Sequence, residues 1–129
     1  MNLKKKTVEQ LKLLKQILQK RDFDWRGNGN CVTCSEGIKI NTAGAHMGHF
    51  IHGKTKLTYY DPMNVHYQCR QCNFYGSHKS VRNYTVFIIR EYGMGVLEEL
   101  EKTSRDTRTW GKKLLRKEVG KLNEILRDN

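Results

Sequence analysis

Apolar residues near the N-terminus recur at helical spacing. Their spacing of three and four positions predicts an amphipathic helix from about residue 8 to residue 20, with lysines on its outer face. Thr7 and Gln10 occupy the two positions of a capping box at its start. The predicted inward face consists of Val8, Leu11, Leu14 and Leu18.

The middle of the chain has short runs rich in aromatic and β-branched residues. Three of these runs predict strands, at residues 48–51, 57–60 and 65–68. Gly53 separates the first two, and Asp61 with Pro62 separates the last two, as turn residues do. This segment therefore predicts a small sheet.

The C-terminal third returns to helical periodicity. A helix is predicted around Tyr84–Tyr92 in which Ser80 is the N-cap and Gly93 the C-cap. A short helix at about 95–103 and a longer one at about 107–127 follow. The longer helix is predicted to face inward with Leu114, Leu115, Val119, Leu122, Ile125 and Leu126.

Composition limits the class of protein. A chain of 129 residues makes one domain, and its 37% hydrophobic content with a single proline excludes a disordered or fibrous protein. The longest apolar run, residues 86–89, is far too short to span a membrane. The basic residues 4–6 are not followed by the apolar segment of a signal peptide. These features predict a soluble protein of the cytoplasm.

The net charge of +11 is concentrated at the two ends of the chain. Residues 1–21 contain seven Lys/Arg against Glu9 alone, and residues 101–129 contain nine against five, whereas residues 22–100 are nearly neutral. Basic flanks of this kind predict contacts with a polyanion such as DNA. A solvated basic surface without a ligand is the alternative. Membrane binding is disfavoured, because neither flank has a Trp/Phe-rich apolar face.

Four cysteines form two Cys-x-x-Cys pairs. Two residues between cysteines point both sulfurs at one ion, and two such pairs complete a tetrahedral thiolate site for Zn²⁺. A structural disulfide or a thioredoxin-like redox pair fits less well, since no secretory signal is present and two redox pairs are redundant. We therefore predict one structural zinc ion bound by Cys31, Cys34, Cys69 and Cys72.

Five histidines lie within residues 46–78, most of them between the two halves of the predicted zinc site. His49 lies on the first predicted strand, Asn64 precedes the last strand, and Asn73 lies where a helix begins. This layout is typical of ββα-metal nucleases, in which a histidine deprotonates water, an asparagine orients it and a helix residue binds a divalent cation. The alternative for His49 is a core histidine, for Asn64 a turn residue, and for Asn73 a helix cap.

The same residues carry a resemblance to a known family. Residues 48–51, 61–69 and 69–73 resemble HNH (His-Me finger) nucleases with a zinc-knuckle pair, and more closely the NinG/Rap family of lambdoid bacteriophage recombination proteins. The likeness covers roughly residues 31–101. It implies an endonuclease selective for branched recombination intermediates, such as Holliday junctions and D-loops.

The resemblance also implies roles for particular residues. His49 is the predicted general base, Asn64 supports it, and Asn73 binds a catalytic Mg²⁺ or Mn²⁺ ion. His46, which stands where the family has an acidic residue, is the second predicted ligand of that ion. The residues predicted to bind DNA phosphates beside the cleft are Lys54, Lys56, Arg70, Lys79 and Arg82.

Together these features predict an α+β fold. A zinc-stapled ββα-metal core at residues 31–79 is flanked by a basic N-terminal helix at 1–21 and a helical part at 80–129. A non-catalytic zinc module that binds nucleic acid is the main alternative function, and a zinc-stapled adaptor for another protein is a third. Homodimerisation through the C-terminal helix is compatible with the pattern.

Overall fold

A computed structural model of the chain describes residues 3–74, 78–106 and 112–128. The elements in these ranges confirm the predicted α+β class. The helices are α1 (Leu3–Asp22), α2 (Arg70–Phe74), α3 (His78–Tyr92), α4 (Met94–Ser104) and α5 (Lys112–Asp128). The strands are β1 (Asn28–Asn30), β2 (Gly37–Lys39), β3 (His46–His49) and β4 (Val65–Gln68), and a 3-10 turn (Pro62–Asn64) precedes β4.

The strands form two separate antiparallel ribbons. In the first, β1 pairs with β2, so the segment between them is a hairpin turn. In the second, β3 pairs with β4 with His46 opposite Gln68 and His49 opposite Val65. Because α2 follows β4 directly, the order is strand, loop, strand and helix, as the sequence predicts. Asn73 does not begin this helix as predicted, because it is the fourth of the five residues of α2.

Helix α1 was predicted correctly as an element but with the wrong buried face. It begins at Leu3, so Thr7 lies inside the helix and does not cap it. Val8 is 62% exposed and Leu11 is 40% exposed, although both were predicted to face inward. The buried residues are Gln10, Leu14, Ile17 and Leu18, whose spacing of four, three and one residues keeps them on one side of the helix.

The buried residues form two clusters. The larger cluster joins Leu14 and Leu18 of α1 to Val65 and Tyr67 of β4. The smaller one joins Tyr84 and Ile88 of α3 to Leu97 and Leu100 of α4. The terminal helices α1 and α5 also pack against each other, with Val119 and Leu122 of α5 buried. The ribbon β3–β4 therefore lies between α1 on one face and α3 on the other.

The strand predicted at residues 57–60 is wrong. This segment consists of successive turns, in which Tyr59 N–H donates to the Lys56 carbonyl and Asp61 N–H donates to the Thr58 carbonyl. The aromatic and β-branched content suggested a strand, but no neighbouring strand pairs with these residues. The strand predicted at residues 48–51 lies two residues earlier, at β3, and residues 65–68 form β4 as predicted.

Helices α3 and α4 lie close to their predicted positions, and α5 is described from Lys112, so the predicted start at about residue 107 lies outside the described residues. Helix α3 ends at Tyr92, and Gly93, with φ of +93°, separates it from α4. Ser80 lies within α3 and is not its N-cap. The side chains of Leu114 and Leu115 lie outside the described residues, while Ile125 and Leu126 are half-buried. No helix in the described ranges is long and apolar enough to cross a membrane.

Candidate functional site

The two Cys-x-x-Cys pairs come together at one end of the β3–β4 ribbon. The Sγ atoms of Cys31, Cys34, Cys69 and Cys72 all lie within 4.8 Å of one another. Those of Cys34 and Cys69 are 3.8 Å apart. A tetrahedral Zn²⁺ with Zn–S bonds of ~2.3 Å requires sulfurs about 3.8 Å apart, so the four donors fit one zinc ion. All four cysteines are free thiols, which agrees with the metal assignment.

Local backbone structure forms each cysteine knuckle. Cys31 and Cys34 occupy the turn between β1 and β2, where the Ser35 N–H donates to the Cys31 carbonyl over 2.9 Å. Cys69 follows β4, and the Cys72 N–H points at the Cys69 sulfur over 3.4 Å. An N–H aimed at sulfur stabilises the thiolate, which is the form that binds a metal.

The pKa values of the cysteines indicate that metal binding releases protons. Burial opposes ionisation of Cys31, but hydrogen bonds from Thr33 and nearby backbone N–H groups lower its pKa to about 6. Burial raises the pKa of Cys34 to about 12 and also raises the pKa of Cys69. Because zinc binds the deprotonated sulfurs, its affinity for this site increases with pH.

A buried glutamine connects the ribbon to the first knuckle. Gln68 of β4 donates through Nε2 to Thr33 Oγ1 over 3.2 Å, and Thr33 Oγ1 lies 3.3 Å from Cys31 Sγ. The Gln68 side chain crosses the position that a Cβ at residue 48 would occupy, at 1.7 Å from such an atom. Gly48 is therefore required by this crossing, and any larger residue would displace Gln68.

His49 lies at the opposite end of β3 from the cysteines. Its Nε2 is 2.9 Å from the carbonyl oxygen of Tyr59, and its ring stacks on the Tyr59 ring with centroids 4.2 Å apart. A carbonyl only accepts, so Nε2 carries the proton and donates it. The other ring nitrogen, Nδ1, then has the lone pair, which is the form required of a general base.

Burial lowers the pKa of His49 below its ordinary value of 6.5. The hydrogen bond to the Tyr59 carbonyl opposes this shift, and the nearby His52 adds to it. His49 is therefore neutral at physiological pH, with Nδ1 available to accept a proton.

Asn64 closes the loop that follows His49. It is fully buried, and its Oδ1 accepts from the Ile51 N–H over 2.9 Å. Its Nδ2 donates to the carbonyls of Ile51 and Thr58, at 3.1 Å and 3.0 Å. Since Thr58 immediately precedes Tyr59, Asn64 fixes the carbonyl that orients the His49 ring without contacting His49 itself.

The two predicted cation ligands lie at the cysteine end of the ribbon. His46 Nε2 is 2.7 Å from the Ala43 carbonyl, which leaves Nδ1 as an acceptor, and the ring contacts Phe74, the neighbour of Asn73 in α2. His46 is three residues from His49 along β3, about 10 Å at the rise of a strand, and faces the other side of the ribbon. The structure thus places His46 near α2 but does not bring these residues into contact with His49.

The predicted phosphate-binding residues occupy two places. Lys54, which is exposed, and Lys56, which is half-buried, belong to the loop closed by Asn64. Arg70 and Arg82 are exposed on α2 and α3, respectively. The side chain of Lys79 lies outside the described residues.

His66 belongs to the core and not to the site. It is 3% exposed and lies between two tyrosine hydroxyls, 3.1 Å from Tyr84 Oη and 2.7 Å from Tyr92 Oη. The Tyr84 hydroxyl donates to the Gly48 carbonyl over 2.7 Å. Burial lowers the pKa of His66 to about 3, so it stays neutral and joins α3 to the ribbon.

Sequence reasoning missed two residues that position the site. Tyr59 was predicted only as part of a strand at residues 57–60, yet it supplies both the carbonyl and the ring that hold His49. Arg21 of α1 donates to the carbonyls of Pro62 and Val65, each over 2.6 Å, and so holds the turn that contains Asn64. Neither interaction has a sequence signal, because any residue can supply a backbone carbonyl.

The fold and the cysteine cluster define an α+β protein in which two cysteine knuckles bring four sulfurs close enough to bind one metal ion. A family model described as bacteriophage Lambda NinG protein matches residues 2–127. The chain therefore belongs to the NinG family, which confirms the family resemblance seen in residues 48–73. No curated protein and no solved structure gives a significant match to the chain.

Proposed function

We propose that this protein is a metal-dependent DNA endonuclease in which His49 is the general base. The observation that carries the proposal is the tautomer of the His49 ring, whose Nε2–H donates to the Tyr59 carbonyl and whose Nδ1 therefore carries the lone pair that accepts a proton. A core histidine such as His66 has both ring nitrogens in hydrogen bonds, whereas in the described part of the chain the hydrogen bond of His49 is at Nε2. The chain belongs to a bacteriophage family, and the resemblance to that family implies a role in DNA recombination. DNA as the substrate agrees with both.

The chain's own residues define the first half of the reaction. His49 Nδ1 takes a proton from a water molecule, and the resulting hydroxide attacks the phosphorus in line with the leaving 3′-oxygen. The Tyr59 carbonyl accepts from Nε2–H throughout, and so stabilises the imidazolium that forms. Asn64 keeps this carbonyl in place by closing the loop between residues 51 and 58.

The resemblance implies a catalytic divalent cation, Mg²⁺ or Mn²⁺, with Asn73 and His46 as its predicted ligands. Such an ion, when bound, stabilises negative charge on the phosphate and the leaving oxygen. The amide oxygen of Asn73 suits a hard cation, and the Nδ1 of His46 suits Mn²⁺ better than Mg²⁺. His46 and His49 face opposite sides of β3 about 10 Å apart, so an ion held by His46 would lie too far from His49 to act on the same phosphate, and we do not assign the catalytic ion to His46.

Branched DNA is the proposed substrate, on the strength of the family resemblance. The test is a cleavage assay that compares a labelled four-way junction with a linear duplex of the same sequence, in Mg²⁺, in Mn²⁺ and in a chelator. We expect metal-dependent nicks near the branch point and little cleavage of the linear duplex. Tight binding of both DNAs with no cleavage in either metal would instead support a non-catalytic zinc module.

The basic N-terminus should govern DNA affinity and not the chemical step. If about six phosphates are neutralised, the slope of log affinity against log salt should be roughly −5. Replacing Lys4, Lys5 and Lys6 with glutamine should reduce the magnitude of that slope by up to about 3 and leave the rate at saturating DNA unchanged. The three arginine replacements keep the charge and are the control. An affinity that does not depend on salt contradicts DNA as the ligand.

A further inference from the structure

An exposed tryptophan lies in the turn between α1 and β1. Trp25 is 86% exposed, more than any other large apolar side chain in the described part of the chain. The Cζ atom of Arg26 lies over its ring, 4.7 Å from the centroid. Because the Trp25 ring remains in water, its burial contributes almost nothing to the free energy of folding. Packing therefore does not explain why residue 25 is a tryptophan.

The turn that carries Trp25 is tightly constrained. Asp24 Oδ1 accepts from the N–H groups of Arg26 and Asn28, both over 2.9 Å. The Gly27 N–H donates to the Asp24 carbonyl over 3.0 Å, which makes Trp25 and Arg26 the two central residues of the turn. Gly27 has φ of +80°, and a Cβ there would lie 2.6 Å from Ile40 Cγ2. The backbone of the turn therefore holds Trp25 and Arg26 next to each other at the surface.

The surface around the turn is basic. Trp25 borders an open groove that Lys20 and Ile40 also line. Lys39, beside Ile40, is exposed, and so is Arg26. The carboxylate of Asp24, the acidic residue of this turn, already accepts two backbone N–H groups. An exposed aromatic ring among cations is the combination that proteins use to bind single-stranded nucleic acid.

We propose that Trp25 and Arg26 form a stacking site for an unpaired DNA base. The DNA ligand rests on the proposed function, but the site is separate from His49 and from the cysteines. In a duplex each base is stacked between its neighbours, whereas single strands and branch points expose base faces. Stacking on Trp25 therefore favours branched or single-stranded DNA over linear duplex, while Arg26 adds a cation against the ring and the strand.

The test measures Trp25 fluorescence in a Trp110→Phe background, so that Trp25 is the sole tryptophan. A thymidine oligonucleotide of about ten residues should quench the emission to saturation, whereas a linear duplex should quench it little. Trp25→Ala leaves no tryptophan in this background, so its binding is measured by the fluorescence anisotropy of labelled DNA. It should weaken binding of the oligonucleotide by about 5- to 100-fold and binding of the duplex by less than about twofold.

Three variants separate stacking from other effects. Trp25→Phe keeps a ring and should retain most of the affinity, whereas Trp25→Leu keeps apolar bulk without a ring and should lose as much as Trp25→Ala. Met94→Ala, at another exposed apolar residue, is the matched control and should bind like the parent. Because Trp25 is exposed, its replacement should shift the unfolding midpoint by no more than about 3 °C.

Several results would overturn the stacking site. One is the absence of quenching by the oligonucleotide, and another is an equal loss of affinity for both DNAs in Trp25→Ala. A third is full oligonucleotide affinity in Trp25→Leu. The last is a change of oligomeric state in Trp25→Ala, which would make a second copy of the chain the partner of this surface. Saturable quenching without any DNA cleavage would overturn the nuclease proposal alone, since the measurement reads binding and not hydrolysis.

Discussion

Replacing His49 with alanine should reduce the single-turnover cleavage rate by about 10²- to 10⁴-fold, the usual contribution of a general base. The variant loses the nitrogen that accepts the proton of the attacking water. DNA affinity should change little, because phosphate contacts come from Lys and Arg side chains elsewhere and the cysteine cluster is untouched. Cleavage rates at saturating DNA, with affinity measured separately, check both parts of this expectation.

His49→Gln tests the base function more sharply than alanine does. The glutamine amide can still donate to the Tyr59 carbonyl, but it has no basic nitrogen, so its cleavage rate should be as low as that of His49→Ala. His52→Ala removes an exposed histidine three residues away and should keep most of the activity. Asn64→Ala should show an intermediate loss, because it frees the loop without removing the base. Junction cleavage by His49→Gln at the parental rate would contradict the assignment.

The pH dependence of cleavage follows from the lowered pKa of His49. Only the neutral ring accepts a proton, so the rate should fall as pH decreases through the pKa of the folded protein. Burial places that pKa below 6.5, and the activity should therefore persist below the pH at which an ordinary histidine would be half protonated. The fall should be absent from the residual rate of His49→Gln.

Loss of a cysteine ligand should unfold the protein. Purified protein should contain about one zinc ion per chain, and structural zinc contributes roughly 10–16 kcal/mol in small domains at neutral pH. That is comparable to the whole stability of a typical domain, about 5–15 kcal/mol. Cys31→Ser or Cys72→Ser should therefore abolish the cooperative unfolding transition, which calorimetry and metal analysis would detect. The same loss should follow removal of zinc with a chelator.

The control for the cysteine variants is Glu36→Gln. Glu36 lies exposed in the same knuckle turn, where its backbone carbonyl accepts from the Cys31 N–H and its backbone N–H donates to the Cys34 sulfur. Because the side chain takes no part in these contacts, the variant should keep its zinc and its unfolding transition. Protein that contains no zinc and unfolds at the same temperature with and without a chelator would contradict the tetrathiolate site.

Local patterns predicted the elements whose stability is mainly local. The helical spacing of apolar residues predicted α1, α3 and α4. This works because a helix forms its own backbone hydrogen bonds and needs only one apolar face to pack against the core. The same reasoning failed at residues 57–60, where the side chain of Asn64 holds the backbone in turns and overrides a strand-like composition. It also failed on the exposed Val8 and Leu11, because the buried face depends on what packs against the helix.

The sequence by itself identified the four cysteines that converge, since thiol chemistry belongs to cysteine alone and a spacing of two residues is enough to direct both sulfurs of a pair to one point. It also singled out His49 and Asn64. Only the tertiary structure decided which nitrogen of His49 carries the proton and which loop Asn64 closes. The partners there are the backbone carbonyls of Tyr59 and Thr58, and every residue has such a group. Which carbonyl meets the ring depends on the path of the folded chain.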